Sequence, residues 1–401
     1  MATHVPRVSV CVPSYNHSRF LAQTLDSILS QTYLDLEIII VDDGSTDNSF
    51  EIAQRYQSEH PSKIRLYTHA NNQNLGTSET VNAAFAKVRG EYWMGLPSDD
   101  LLHPNKIERQ VQFLDQHKDI GWVYSYANYI DDTGELLQGL FGEDISRDAA
   151  PVEAMIRGNR VPGMTALMRR SISEKVGLHD ASLVYSDWHY WVRMTAAAKV
   201  GFINEPLVYY RVHGSNTSIG VDRDINLARF VEVTQAIRRD ADEGRLSVGK
   251  RARALIELQL AYYNLCRDNE SAAELCFGSA LKFYPDLIYD QNYLRDWISE
   301  RCDFSRGILR KPEQPSNLVR WLIGRVQATI SRPKLQSLEA EYLAQAAIDT
   351  SKTDRGNAVR FAFKSVITDS SQLTNKRLYR AILKGIAGEK AVEKLRRLKR
   401  R

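Results

Sequence analysis

The chain has 401 residues, 43% hydrophobic and 25% charged, with a formal net charge of +4 at neutral pH. That length exceeds one ordinary core and predicts two or three domains. The composition excludes a disordered chain, and so mild a positive charge gives no case for nucleic acid as a partner.

The elements follow in chain order. Val8 to Val12 is a short β-rich run ending at Pro13. Ser18 to Gln31 has helical spacing, with Leu21, Leu25, Ile28 and Leu29 on one face. Glu37 to Val41 (EIIIV) is apolar throughout, as in a strand covered on both faces of a parallel sheet. It stops at Asp42-Asp43-Gly44-Ser45, a helix-start signal, and a second helix is expected after it. A strand at Ile64 to Tyr67, a helix carrying Val81, Ala84, Phe85 and Val88, and a strand at Tyr92 to Leu96 come next. That strand ends at Ser98-Asp99-Asp100; a helix after Pro104 and a strand at Gly121 to Ser125 complete a βαβαβαβ order. The order predicts a doubly wound α/β sheet with right-handed crossovers and ligands beyond the carboxyl ends of its strands. Both acidic clusters fall at that edge.

From about Arg223 helical periodicity replaces strand patterns, which predicts domains at 1–222 and 223–401. Two segments, Ala261 to Leu287 and Ala344 to Leu373, have the form of helical hairpins similar to tetratricopeptide repeats. Between them, Arg306 to Lys334 is rich in Pro, Arg and Lys, and the chain ends in Leu395-Arg396-Arg397-Leu398-Lys399-Arg400-Arg401. These basic stretches, including the segment around Trp321, suit contact with an anionic membrane surface; solvated helix ends explain them equally well. No apolar run approaches the roughly 18 residues of a spanning helix, and the first residues lack a leader pattern. Cys11, Cys266, Cys276 and Cys302 form no CxxC pair. A reducing, cytoplasmic setting is expected, with peripheral contact at the inner face of the membrane.

Four clusters can carry chemistry. A carboxylate at Asp42-Asp43 can accept hydrogen bonds from a base or a ribose, or cap a helix. Pro97-Ser98-Asp99-Asp100 can place a hard cation over a diphosphate, or again cap a helix. Asp187 lies in the aromatic setting Tyr185-Ser186-Asp187-Trp188-His189-Tyr190-Trp191, where partial desolvation would raise its pKa and make it a better base. His213, after a strand, is of a type more often structural than metal-ligating, although neutral imidazole is a common ligand.

The order and spacing of these pieces change their weight. Val8 to Ser218 resembles the family-2 inverting glycosyltransferases of the GT-A fold. The matching pieces are VSVCVPSYN, LDSILSQTYLDLEIIIVDDGSTDNS, NLG followed by Asn82, SDDLLHPNKIE, GLHDASLVYSDWHYWVRM and INEPLVYYRVHGSNTS. The resemblance implies a Rossmann-like mixed sheet for this stretch, followed by the all-α C-terminal region read from periodicity. It implies a nucleotide-sugar donor, UDP-sugar first, and a glycan or lipid-linked acceptor in polysaccharide or cell-envelope synthesis. Pro13 and Tyr15 would line the nucleobase pocket, Asp43 would bind the base, and Asp42 would support that loop. Asn74 and Gly76 would lie in the loop that closes over the nucleotide. Asp99 would coordinate a divalent cation, Mg²⁺ or Mn²⁺, with His213 completing its shell, and Asp100 would orient the donor sugar. Asp187 would be the catalytic base.

The chain departs from the family pattern in three places. Pro97 stands where the metal motif has its first carboxylate, Ser186 precedes Asp187 in place of Glu, and His179 replaces an aromatic. No QxxRW signature is found, which argues against processive synthesis. A catalytically degenerate binding protein is the rival that Pro97 supports. A nucleotidyltransferase would need a Gly-rich, basic phosphate loop where Pro13-Ser14-Tyr15-Asn16 stands.

Overall fold

The computed structural model describes residues 4–216, 221–267 and 269–288. The chain divides into two compact units, Met1–Ala252 and Arg253–Arg401.

The first unit opens with β1 (Val8–Ser14), α1 (Leu21–Leu29), β2 (Leu36–Asp42), α2 (Ser49–Glu59), β3 (Ile64–Thr68), α3 (Thr77–Phe85) and β4 (Tyr92–Gly95). Strands β3, β2, β1 and β4 lie side by side in parallel, with Ile64, Ile38, Val10 and Met94 in register. Every residue of β2 is buried, as its uninterrupted apolar run requires. Leu21, Leu25 and Ile28 of α1 cover it with no exposure. Burial of such side chains contributes about 1.5–3 kcal/mol each and is what fixes the register. Glu37 is the exception, a carboxylate buried in β2. It is paired with Arg65 and Arg89 at 2.8 and 2.6 Å and accepts from Ser9 Oγ at 2.7 Å. An unpaired charge there would be strongly destabilising.

The chain continues through β5 (Leu101–Leu102), α4 (Lys106–Gln116), β6 (Ile120–Ile130), β7 (Leu136–Phe141), α5 (Pro151–Arg157), β8 (Leu167–Arg169), α6 (Arg170–Val176), α7 (Ser186–Ala197) and β9 (Lys199–Arg211). The sheet order is β3-β2-β1-β4-β8-β6-β9-β5, with β7 beside β6. The sheet is mixed, as the resemblance implied. The short β8 runs antiparallel between β4 and β6, and β5 and β7 are also antiparallel to their neighbours. β9 is parallel to β6. Strands β1, β2, β3, β4, β6 and β9 therefore all point the same way, and their carboxyl ends share one edge.

The expected division after Asp222 falls before α8 (Arg223–Asp242), whereas the first unit closes at Ala252. The reason is packing: Phe230 of α8 meets Tyr185 and Trp188 at ring separations of 5.7 and 5.9 Å. Buried His189 of α7 also bonds Asp240 of α8 at 2.8 Å. α8 thus covers the aromatic stripe of α7.

In the second unit, α9 (Lys250–Cys266) leads into α10 (Glu270–Phe283), which is capped by the Asn269 side chain on Ala272 N. The Arg253 guanidinium lies over the Phe283 ring at 4.9 Å, so the start of α9 meets the end of α10, as in an antiparallel hairpin. Ala273, Cys276, Phe277 and Ala280 form the buried face of α10. The second expected hairpin, the Arg306–Lys334 segment and the basic end lie outside the described residues. Among the described residues no helix is long and apolar enough to cross a membrane.

Candidate active site

Three loops at the carboxyl edge are tied together by side-chain hydrogen bonds. Asn16, after β1, adopts φ 52° and its Oδ1 accepts from Thr46 N at 2.8 Å. Asp47 accepts from Ser18 N and from Ser49 N, at 3.0 and 2.9 Å. His17 N donates to Ser49 Oγ at 2.9 Å. The VPSYN and DDGSTD pieces are thus one interlocked unit, which is the physical reason for them to occur together.

Asp42 accepts from Ser45 N and Oγ, at 2.9 and 2.6 Å, and so braces its own turn. Asp43 is 3% exposed and accepts from Leu75 N and Gly76 N, at 2.7 and 3.0 Å. The expectation for Asp43 was contact with a base; in this structure its carboxylate holds the loop that carries Asn74 and Gly76. Gly44 makes the close approach feasible: its φ is +73°, and a Cβ there would lie 2.6 Å from Asn72 O. Gly76 also has a positive φ, 88°. Pro13 is half-buried, and Tyr15 and Asn74 are exposed at the same edge. Tyr15 retains 42% of its surface, as a ring that stacks on a ligand must.

After β4, Asp99 and Asp100 go separate ways. Asp99 Oδ2 lies 2.9 Å from His213 Nε2 and 3.9 Å from His17 Nε2. Ligand atoms of His17, Asp99 and His213 all fall within 4.8 Å of one another, a set that can hold a metal ion. Asp100 instead has no exposure and accepts from Arg211 N at 2.9 Å. Burial, followed by the neighbouring Asp99, pushes its carboxyl well above the usual range. The Asp100 side chain is thus turned into the protein beside the Arg211 backbone. Arg211, also fully buried, donates to Asp99 O at 2.8 Å and to Gln23 Oε1 at 2.8 Å, and lies over the Phe20 ring. It anchors the Asp99–Asp100 turn from below.

Asp187 begins α7 and is half-buried. Its Oδ2 accepts from Asn159 Nδ2 at 2.8 Å and its Oδ1 from Trp188 N at 2.8 Å. Desolvation outweighs these donors and the favourable helix end, so its pKa is raised, as the aromatic setting predicted. Trp188 Nε1 donates to Met155 O at 2.6 Å, fixing α7 against α5, after which comes Asn159. The start of α7 is also joined to the region after the loop held by Asp43: Ser186 Oγ bonds Ser78 Oγ, at the start of α3, at 2.7 Å. Asn82 of α3 clamps the backbone of His179 through both N and O, at 2.9 and 3.0 Å. The His179 ring stacks on Tyr190 at 4.2 Å, and burial pushes its pKa down to about 3. It fills the aromatic position as a neutral ring.

Sequence reading missed His17, Asn159 and Arg211. For His17 a signal existed, since it directly follows the VPSYN piece. Asn159 and Arg211 act through contacts distant in sequence and carry no local signature.

Residues 9–177 match the family model for glycosyl transferase family 2. An uncharacterised glycosyltransferase of Nostoc sp. is 34% identical, the match covering 52% of this chain and 66% of that protein. One from Rickettsia typhi is 32% identical, over 54% of this chain and 67% of the relative. Chondroitin synthase of Escherichia coli is 31% identical over 54% of this chain, but only 30% of the synthase is covered. The chain thus spans about two thirds of the first two relatives and under a third of the last. Among solved structures, residues 1–349 of Staphylococcus aureus TarS, in complex with UDP-GlcNAc, share the fold. The TM-score is 0.51 at 17% identity, over 86% of this chain and 91% of the other.

Proposed function

Because the chain belongs to glycosyl transferase family 2, we propose that it moves a sugar from a nucleotide-diphosphate sugar to an acceptor hydroxyl, with inversion at the anomeric carbon. The observation that carries this reading is the pairing of a desolvated carboxylate, Asp187, with a nucleotide-type loop through the Ser186–Ser78 bond. Asp187 takes the proton from the acceptor hydroxyl while that oxygen attacks the anomeric carbon and the carbon–oxygen bond to the diphosphate breaks. One displacement needs no covalent enzyme intermediate, and the anomeric configuration inverts.

The other residues bind and orient. Tyr15 offers its ring to the base and Pro13 lines the pocket wall. Asp42 and Asp43 hold the two loops between which a nucleotide lies, with Asn74 and Gly76 at the closing tip. Asp99 and His213 would hold a divalent cation, which when bound supplies charge neutralisation at the departing diphosphate. UDP is the nucleotide we expect, and a glycan or lipid-linked acceptor fits the likeness to chondroitin synthase. The basic stretches suit such an acceptor at the cytoplasmic face of a membrane.

The test is a panel of UDP-, GDP- and dTDP-sugars with Mn²⁺ or Mg²⁺, followed by release of the nucleoside diphosphate. Release from one donor, lost in Asp187→Asn while donor binding persists, is the expected result. No release from any donor would favour a binding protein built on the same fold.

A further inference from the structure

The metal motif lacks its first carboxylate, and Pro97 cannot ligate. The structure supplies a substitute from another strand. His17 enters from the β1–α1 loop, its backbone N–H fixed on Ser49 Oγ at 2.9 Å. Its Nδ1 bonds Ser98 Oγ at 2.8 Å, and its Nε2 faces Asp99 Oδ2 at 3.9 Å. His213 repeats the arrangement: Nδ1 lies 2.8 Å from Ser215 Oγ, and Nε2 lies 2.9 Å from the same Asp99 oxygen. The Ser98 hydroxyl can accept the proton of His17 Nδ1, leaving the Nε2 lone pair to face the carboxylate, while His213 Nδ1 is held by both Ser215 Oγ and the Ser215 amide, which donates to it at 3.3 Å. Metal-binding histidines are held by their second nitrogen in this manner. The Phe20 ring lies 4.9 Å from His213 and 6.2 Å from His17, limiting rotation of both imidazoles. Adjacent ligands of a six-coordinate ion with bonds of about 2.1 Å lie roughly 3 Å apart, which the His213–Asp99 separation of 2.9 Å meets and the His17–Asp99 separation of 3.9 Å exceeds. The side chains of Asp99 and His213 are 9% and 5% exposed, and that of His17 is 22%. The cluster is therefore buried yet open on one side, as a site shared with a diphosphate must be.

We propose that His17 is a third protein ligand, so that the site is two imidazoles and one carboxylate and prefers Mn²⁺ to Mg²⁺. This deepens the metal-site reading above and rests on it. Mg²⁺ favours oxygen ligands and dehydrates reluctantly, whereas imidazole suits transition ions. The loss of a carboxylate at Pro97 is thereby turned into a change of metal preference.

The full chain, stripped of metal, is titrated with Mn²⁺ alone and with Mg²⁺ alone, and bound Mn²⁺ is examined by pulsed paramagnetic resonance for coupling to imidazole nitrogen. Wild type is expected to show two coupled nitrogens and to bind Mn²⁺ at least about tenfold more tightly than Mg²⁺. His17→Ala should lose one nitrogen and about tenfold or more in Mn²⁺ affinity, with thermal unfolding confirming that it is folded. Ser98→Ala, which leaves both imidazoles in place, should weaken Mn²⁺ while keeping both nitrogens. Unchanged nitrogen couplings and affinity in folded His17→Ala would overturn the proposal, as would equal affinity of wild type for Mg²⁺. Because this readout uses no donor, it is separable from the function. Two coupled nitrogens without sugar transfer would uphold the ligand and sink the enzyme reading. Transfer indifferent to His17→Ala in both rate and nitrogen coupling would do the reverse.

Discussion

The two acidic regions of the first unit are built in opposite ways. After β2 the aspartates are held by donors. Asp42 is held by Ser45 and Asp43 by the Leu75 and Gly76 amides, whereas Asp100 after β4 has the Arg211 amide on one oxygen and is pushed up by burial. At the start of α7, Asp187 has one side-chain donor, Asn159, and the Trp188 amide, and burial prevails over both. A carboxylate saturated with donors fixes loops and holds ligands. One with fewer donors against its burial has its pKa raised. On the function proposed above, the Asp42–Asp43 end of the sheet is the holding side and the start of α7 the reactive side.

The largest break in this contrast is Asp187→Asn. It removes the base without removing volume, so turnover should fall by about a thousandfold while nucleotide affinity stays within a factor of a few. Turnover kinetics beside calorimetry would separate the two effects. On the holding side, Arg211→Met strips the Asp99 carbonyl and Gln23 of their donor and removes the buried guanidinium charge near Asp100, which keeps the backbone amide. It should cost roughly 3 kcal/mol of stability, read as a lower midpoint in denaturant unfolding. Gly44→Ala is milder: a side chain at φ +73° that meets Asn72 O should cost about 1–3 kcal/mol, with weaker nucleotide binding because the Asp43-held loop is displaced.

The smallest effect sharpens the contrast on the reactive side. Asn159 donates to the ionised form of Asp187, so its removal in Asn159→Ala raises that pKa further. The base works only when deprotonated. The rate of wild type should therefore fall below a pH higher than an ordinary carboxylate would give, and in the variant that limb should move up again by roughly half a unit to one unit. A profile of kcat/KM against pH checks both; a limb moving to lower pH would contradict the role of Asn159.

Much of the holding side was legible in the sequence because its signals are local. EIIIV reads as a buried strand because every residue of β2 is in fact covered, and the acidic turn follows it directly. Asp99, Asp187 and His213 stood out through residue type, order and resemblance. What escaped depends on contacts between distant segments. β8 is only Leu167–Arg169, too short to show a period, yet it joins β4 to β6 in the mixed sheet that the resemblance implied. α8 looked like the start of a helical domain because its own periodicity cannot show that Phe230 and Asp240 pack on α7. The inward turn of Asp100 escaped because nothing in Ser98-Asp99-Asp100 reveals that the Arg211 amide takes one of the two carboxylates.

On the proposed function, the holding side grips a nucleoside diphosphate through Asp99. Calorimetric binding of UDP, GDP and dTDP to wild type and Asp99→Ala, with and without Mn²⁺, tests it most directly. The account predicts tight binding of one nucleotide that needs the metal and is lost in the variant. Binding indifferent to both the metal and the substitution would contradict it.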